Sequence, residues 1–121
     1  DATKARRLAA GVVGFYSTVR TYSDFFEFHG FGAQQADIAT KFREGGVTAQ
    51  KLGELVPDEM ISAFTISGNA DDVANALKAY EGIVDAVKLS PPTHGLAPEQ
   101  TRAAQQQLIG VVADLKGGVR P

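Results

Sequence analysis

The sequence predicts an α/β fold: a mostly helical chain with one βαβ unit of two parallel strands, laid out like the C-terminal part of a (β/α)8 TIM barrel. Three observations predict it. Phe64-Thr65-Ile66 is short, aromatic and β-branched and runs into Ser67-Gly68, the pattern of a brief strand and its turn. Asn69 then caps a helix whose first turn carries Asp71 and Asp72, with Val73, Leu77 and Tyr80 as its apolar stripe. Val84 to Leu89 is a second strand, closed by Ser90-Pro91-Pro92. Strand, helix, strand in so short a span makes a right-handed crossover with parallel strands. A further helix follows, and strand-helix-strand-helix is how the last quarter of such a barrel ends.

The elements before this unit are helical. Ala2 to His29 is expected to form one long helix with Leu8, Val12, Phe15, Val19, Tyr22 and Phe26 on one face. Phe25 and Phe28 widen that stripe, so its C-terminal end is expected to be the more deeply buried. Lys4, Arg6 and Arg7 stand in the first turns, where the helix dipole disfavours cations, so the helix is expected to start upstream of Asp1, inside something larger. Gly30 and Gly32 stop it. Gln34 to Glu44 is a second helix with Ile38 and Phe42 inward, ended by Gly45-Gly46. Thr48 caps a third short helix bearing Leu52 and Leu55, and Pro57, at a first helical position before Asp58 and Glu59, opens a fourth through Met60 and Ile61. Past the first strand, Gly82 with Ile83 behind it suggests a Schellman end to the capped helix. Pro98 and Glu99 open the last helix, with Ala104, Leu108, Val111, Val112 and Leu115 as its stripe and Gly117-Gly118 as its end.

Composition excludes several classes of function. A length of 121 residues allows one domain and not a whole (β/α)8 barrel, which needs about 250. A net charge of -2 leaves no basic excess for phosphate backbones, so no nucleic-acid partner is expected. The apolar runs are far too short for a membrane span. The absence of cysteine removes disulfides and thiolate chemistry and fits a cytoplasmic location. Two parallel strands do not satisfy themselves as a sheet, so homo-oligomerisation is expected to cover their edges.

The stretch from Asp58 to Val73, in which an acidic helical turn leads to a short strand, a glycine and a capped helix, resembles a segment of the luciferase-like flavin- and deazaflavin-dependent oxidoreductases. Val84 to Leu89 with Ser90-Pro91-Pro92 looks like the last barrel strand of that family. Gly14-Phe15-Tyr16 and the run His29-Gly30-Phe31-Gly32 look like the helical insertion before it, the methylenetetrahydromethanopterin reductases and their actinobacterial relatives being the nearest branch. The likeness covers residues from about 5 to 95. It implies that 1–62 is a helical insertion and 63–121 the terminal βαβα unit of the same structural domain, equivalent to the C-terminal third of a barrel enzyme. The earlier strands, which supply most of the family's cofactor pocket, are absent.

The implied chemistry is hydride transfer between coenzyme F420 or FMN and a small organic substrate, or flavin-dependent monooxygenation, in the parent enzyme, with no cofactor expected on this chain alone. The resemblance implies that Ser67, Gly68, Ser90, Thr93 and His94, at the strand ends, bind cofactor or substrate. None is an evident acid, base or nucleophile, and the catalytic residues remain unassigned. His94 reads equally as a plain loop residue, and His29 as a helix-end imidazole complementing the dipole more readily than as a catalytic group. Two distant histidines make no metal site. Ser67-Gly68-Asn69 suits an anion through its backbone N–H groups, but Asn69 also reads simply as a cap, with Asp71 and Asp72 repelling such a ligand. The aromatic series from Phe15 to Phe31 reads as core or as pocket wall, and Arg20 and Arg43 as surface residues or anion grips. A second class of function, a non-enzymatic helical interaction module, rests on the stripe from Leu8 to Phe26.

Overall fold

Asp1 opens helix α1 (Ala2–Ser17) as its cap, its carboxylate accepting from the N–H groups of Thr3 at 2.9 Å and Lys4 at 3.3 Å. The computed structural model describes residues 1–119. After α1 come a 3₁₀ turn (Arg20–Tyr22), α2 (Ser23–Phe28), α3 (Gly32–Arg43), a longer 3₁₀ segment (Ala49–Leu55), α4 (Asp58–Phe64), α5 (Ala70–Lys78) and α6 (Pro98–Val119). The basic first turns of α1 serve α4: Arg7 pairs with the Asp58 carboxylate at 2.7 Å, and Arg6 donates to Ser62 Oγ at 3.0 Å and to the Asp58 carbonyl at 3.3 Å.

The core is built where α1 meets the Ala49–Leu55 segment, α3 and α4. Its buried side chains are Ala10, Val13, Phe26, Ile38, Leu52, Val56, Met60 and Ile61. The face that α1 buries is its small-residue face: Ala10, Val13, Gly14 and Ser17 are inside, whereas Phe15 and Tyr16 are each 37% exposed. Glycine makes this possible. A Cβ on Gly14 would stand 2.8 Å from the Leu52 carbonyl carbon, and one on Gly53 2.9 Å from the Gly11 nitrogen. The two backbones are therefore nearly in contact, and bulky side chains are turned outward.

The predicted βαβ unit is not there. Among the described residues there is no strand, and helices take up 68% of the chain, so a barrel fragment with two parallel strands is overturned. Phe64 closes α4 instead of opening a strand, because its ring is held among Phe25, Phe26 and Phe31 at centroid distances of 5.0–5.5 Å. Thr65 follows as the helix's C-terminal boundary, its hydroxyl donating back to the Ile61 carbonyl at 2.7 Å. Only Thr65 to Gly68 then remain before the capping box of α5, and they pair with no neighbouring backbone. Val84 to Leu89 lies without a neighbouring backbone to pair with; it starts from a turn, Val84 N–H donating to the Tyr80 carbonyl, and Val84 and Val87 are each 45% exposed.

The single helix from Ala2 to His29 is also corrected: it breaks at Thr18-Val19, where Val19 is extended. Its C-terminal end is not the more buried, since Phe26 is inside while Phe25 is 47% and Phe28 85% exposed. Phe42 is 38% exposed, leaving Ile38 as the anchor of α3. Pro57 stands one position before the first residue of α4, and Thr48 precedes a 3₁₀ segment without a side-chain cap bond. Gly82 has the left-handed φ expected of it, 76°, but lies beyond a helix that ends at Lys78, and Ile83 is 76% exposed instead of packed. Helix α6 runs through Gly117-Gly118 to Val119. Gly30 and Gly45, at φ of 83° and 74°, do end α2 and α3.

Asn69 caps α5 in a complete capping box, each of Asn69 and Asp72 accepting the other's backbone N–H at 2.9 Å. Asn69→Ala is expected to lower stability by about 1 kcal/mol, read from the chemical-denaturation midpoint. Helix α5 packs against α6, and Val73 and Val111 are the buried residues of this pair. A methyl group added at Gly110, inside α6, would meet no neighbouring side chain or element within 4 Å, so Gly110→Ala is expected to raise stability by about 0.5–1 kcal/mol in thermal unfolding.

Candidate functional site

The outward aromatics of α1 meet those of the next two elements around an open, mainly apolar groove of about 230 Å³. Val12, Val13 and Tyr16 supply the α1 side, Tyr22 and Phe25 the rim, and Phe26 and Phe64 the remainder of the lining. Tyr16 and Tyr22 meet edge to face at 4.8 Å. Phe64 is the hub at the other end, within 5.5 Å of Phe31 and of His29, the C-cap residue of α2. The break and the groove adjoin: α1 stops at Ser17, and Tyr22 and Phe25 from the next two elements line the groove together with Tyr16.

His94 belongs to the edge of this aromatic surface. Its ring stacks on Phe15 at 3.9 Å and 5° between planes, and its carbonyl oxygen stands 2.5 Å from where a Gly11 Cβ would be. At Gly95, where φ is 75°, a Cβ would stand 3.2 Å from the Gln50 carbonyl oxygen. The 94–95 turn thus seats itself in the notch between α1 and the Ala49–Leu55 segment, a position that only small residues on both sides permit.

A second cavity, about 380 Å³, lies between the start of α1, the end of α4 and α5. Ser67 lines it, together with Arg6, Ser62, Thr65, Asp72 and Tyr80. Gly68 is beside it, packed against the Asp72 side chain. The five residues expected at strand ends are therefore not one constellation: Ser67 and Gly68 flank this cleft, His94 stacks on Phe15, and Ser90 and Thr93 line neither cavity. Arg20 and Arg43 are exposed and line neither cavity as well. Arg6, which in the sequence stands out only as a basic residue in an unfavourable first turn, is the cation of the cleft; its partners lie more than fifty positions away, beyond any local pattern. Among the described residues, no three histidine or acidic side chains gather as a metal site, and no helix is long and apolar enough to cross a membrane.

A stretch of 76 residues, 62% of this chain, is 34% identical to an uncharacterized protein of Mycobacterium bovis and to uncharacterized proteins of two strains of Mycobacterium tuberculosis. That stretch is 22% of each relative, so the chain spans only a minor part of the curated relatives it matches. No protein-family model and no solved structure matches the chain.

Proposed function

We propose that this chain is a helical wall of a luciferase-like oxidoreductase in which FMN or coenzyme F420 passes hydride to or from a small organic substrate, in the cytoplasm. The observation that carries the proposal is the aromatic groove. Tyr16, Tyr22 and Phe25 are partly exposed around a gap that Phe64 also lines, and such ring surfaces take a planar ring by offset or edge-on stacking. In these enzymes the cofactor's ring system supplies the redox chemistry, and protein groups bind and orient it.

The residues present do not fit the whole cofactor. A groove of about 230 Å³ falls below the ~300–1,000 Å³ in which ligands are usually enclosed, and on this proposal the remaining walls come from outside this chain. Relatives several times longer than the matched stretch leave room for them. What this chain contributes is shape, apolar surface and exclusion of water, with His94 clamping Phe15 and so fixing the α1 side of the groove.

A titration of FMN and of F420 with the chain, followed by ring fluorescence, tests this. We expect weak quenching with a Kd of about 1 mM or above, as for a partial site, lost in Tyr22→Ala and Phe25→Ala. Absence of quenching with either cofactor, in a chain that sediments as an oligomer, favours the second reading, a non-enzymatic helical interaction module. That alternative rests on α6, where Ile109 is 68% exposed, since the long stripe from Leu8 to Phe26 is interrupted. A homo-oligomer burying Ile109 is part of it.

A further inference from the structure

We propose that the cleft between α1, α4 and α5 binds a small zwitterion, an α-amino acid with a short apolar side chain. Hydrogen-bond capacity left over in that cleft points to it, independently of the redox proposal. Arg6 uses Nη2 on Ser62 Oγ and the Asp58 carbonyl, which leaves Nη1 and Nε free to donate. Among the described residues no carboxylate forms an ion pair with it. Ser62 Oγ accepts from Arg6, so its own O–H is free as well. Arg6 and Ser62 together offer donors and a positive charge, the complement of a carboxylate.

Other residues that line or adjoin the cleft have the opposite character. Thr65 commits its only hydroxyl proton to the Ile61 carbonyl at 2.7 Å, so in the Thr65–Ser67 pair at 2.9 Å it is Ser67 that donates. The Ser67 oxygen is left as an acceptor. Asp72 uses Oδ2 on the Asn69 N–H and keeps Oδ1, with its charge, unpaired. An ammonium group is the complement here. A simple anion would be repelled by Asp72 and a simple cation by Arg6, whereas a zwitterion meets both. Ile66, Ala76 and Ala79 provide the apolar part of the lining of this open cleft, whose volume of about 380 Å³ leaves room for a small ligand.

Amide shift mapping on the ¹⁵N-labelled chain tests this with L-valine, isovalerate, which lacks the ammonium, and isobutylamine, which lacks the carboxylate. L-valine is expected to move the amides of Ser62, Thr65, Ser67 and Asp72 with a Kd of about 1 mM, with either analogue about tenfold weaker or more. Arg6→Gln is expected to abolish L-valine binding. Asp72→Asn keeps an oxygen for the Asn69 N–H, so α5 stays capped, yet L-valine and isovalerate should then bind alike. Isovalerate binding the unaltered chain as tightly as L-valine, or L-valine leaving these amides unmoved at ten times the expected Kd, overturns the proposal.

Discussion

Gly14→Ala is expected to lower the unfolding free energy by about 2 kcal/mol, although alanine is the better helix former. The added methyl would lie 2.8–2.9 Å from the Leu52 carbonyl carbon, oxygen and Cβ. Two of those three atoms are backbone, held in a 3₁₀ segment, so relief requires α1 and that segment to part. Overpacking of this kind costs about 1–3 kcal/mol and occasionally more, against roughly 1 kcal/mol recovered from helix propensity. At about 4 °C per kcal/mol for a chain of this size, the melting temperature should fall by about 8 °C. Gly110→Ala, the same chemical change on open helix surface, should move it upward. Equal melting shifts for the two variants would mean that α1 does not approach the Ala49–Leu55 segment this closely.

Ile61→Ala should cost more, about 2–5 kcal/mol. Ile61 is fully buried beside Met60 in the cluster that joins α4 to α1 and α3. Truncating its side chain there leaves a cavity bounded by short, rigid elements that have little freedom to collapse. Domains of this size are stable by only about 5–15 kcal/mol, so the loss is a large fraction of the whole. A drop in the urea midpoint with an unchanged denaturant slope is the expected reading. Ile109→Ala, on the exposed side of α6, should stay within about 0.5 kcal/mol of the parent. A cost below about 1 kcal/mol at Ile61 would place the core elsewhere.

Local signals in the sequence are enough for the helix joints and the caps. Gly30, Gly45 and Asn69 act through their own φ angles or side chains, and Ile38 and Val73 are buried as their positions in the apolar pattern imply. The break after Ser17 is different in kind. Its carbonyl, which a continuing helix would offer to residue 21, is taken by the Gln35 side-chain amide at 2.8 Å, and the Ser17 hydroxyl bonds back to Val13. Nothing within ten residues announces the Gln35 bond. The buried face of α1 departs from expectation for a related reason. Apolar periodicity favours large side chains as the buried set, whereas the Gly11, Gly14 and Gly53 contact rewards small ones, and Phe15 and Tyr16 go outward. The two strands do not form because β-branched residues meet the local requirement for a strand but not the non-local one, a neighbouring backbone. For the candidate site, the aromatic groove is legible as a choice between core and wall. The Arg6 cleft is not, because it exists only once α1 is laid against α4 and α5.

Whether the aromatic groove is a surface for a planar ring is tested most directly by the footprint of FMN on the ¹⁵N-labelled chain. We expect shifts concentrated on Val12, Tyr16, Tyr22, Phe25 and Phe64, with the Arg6 cleft undisturbed. Shifts confined to α6 or to residues 84–93, or none at FMN concentrations that saturate the quenching titration, would contradict it.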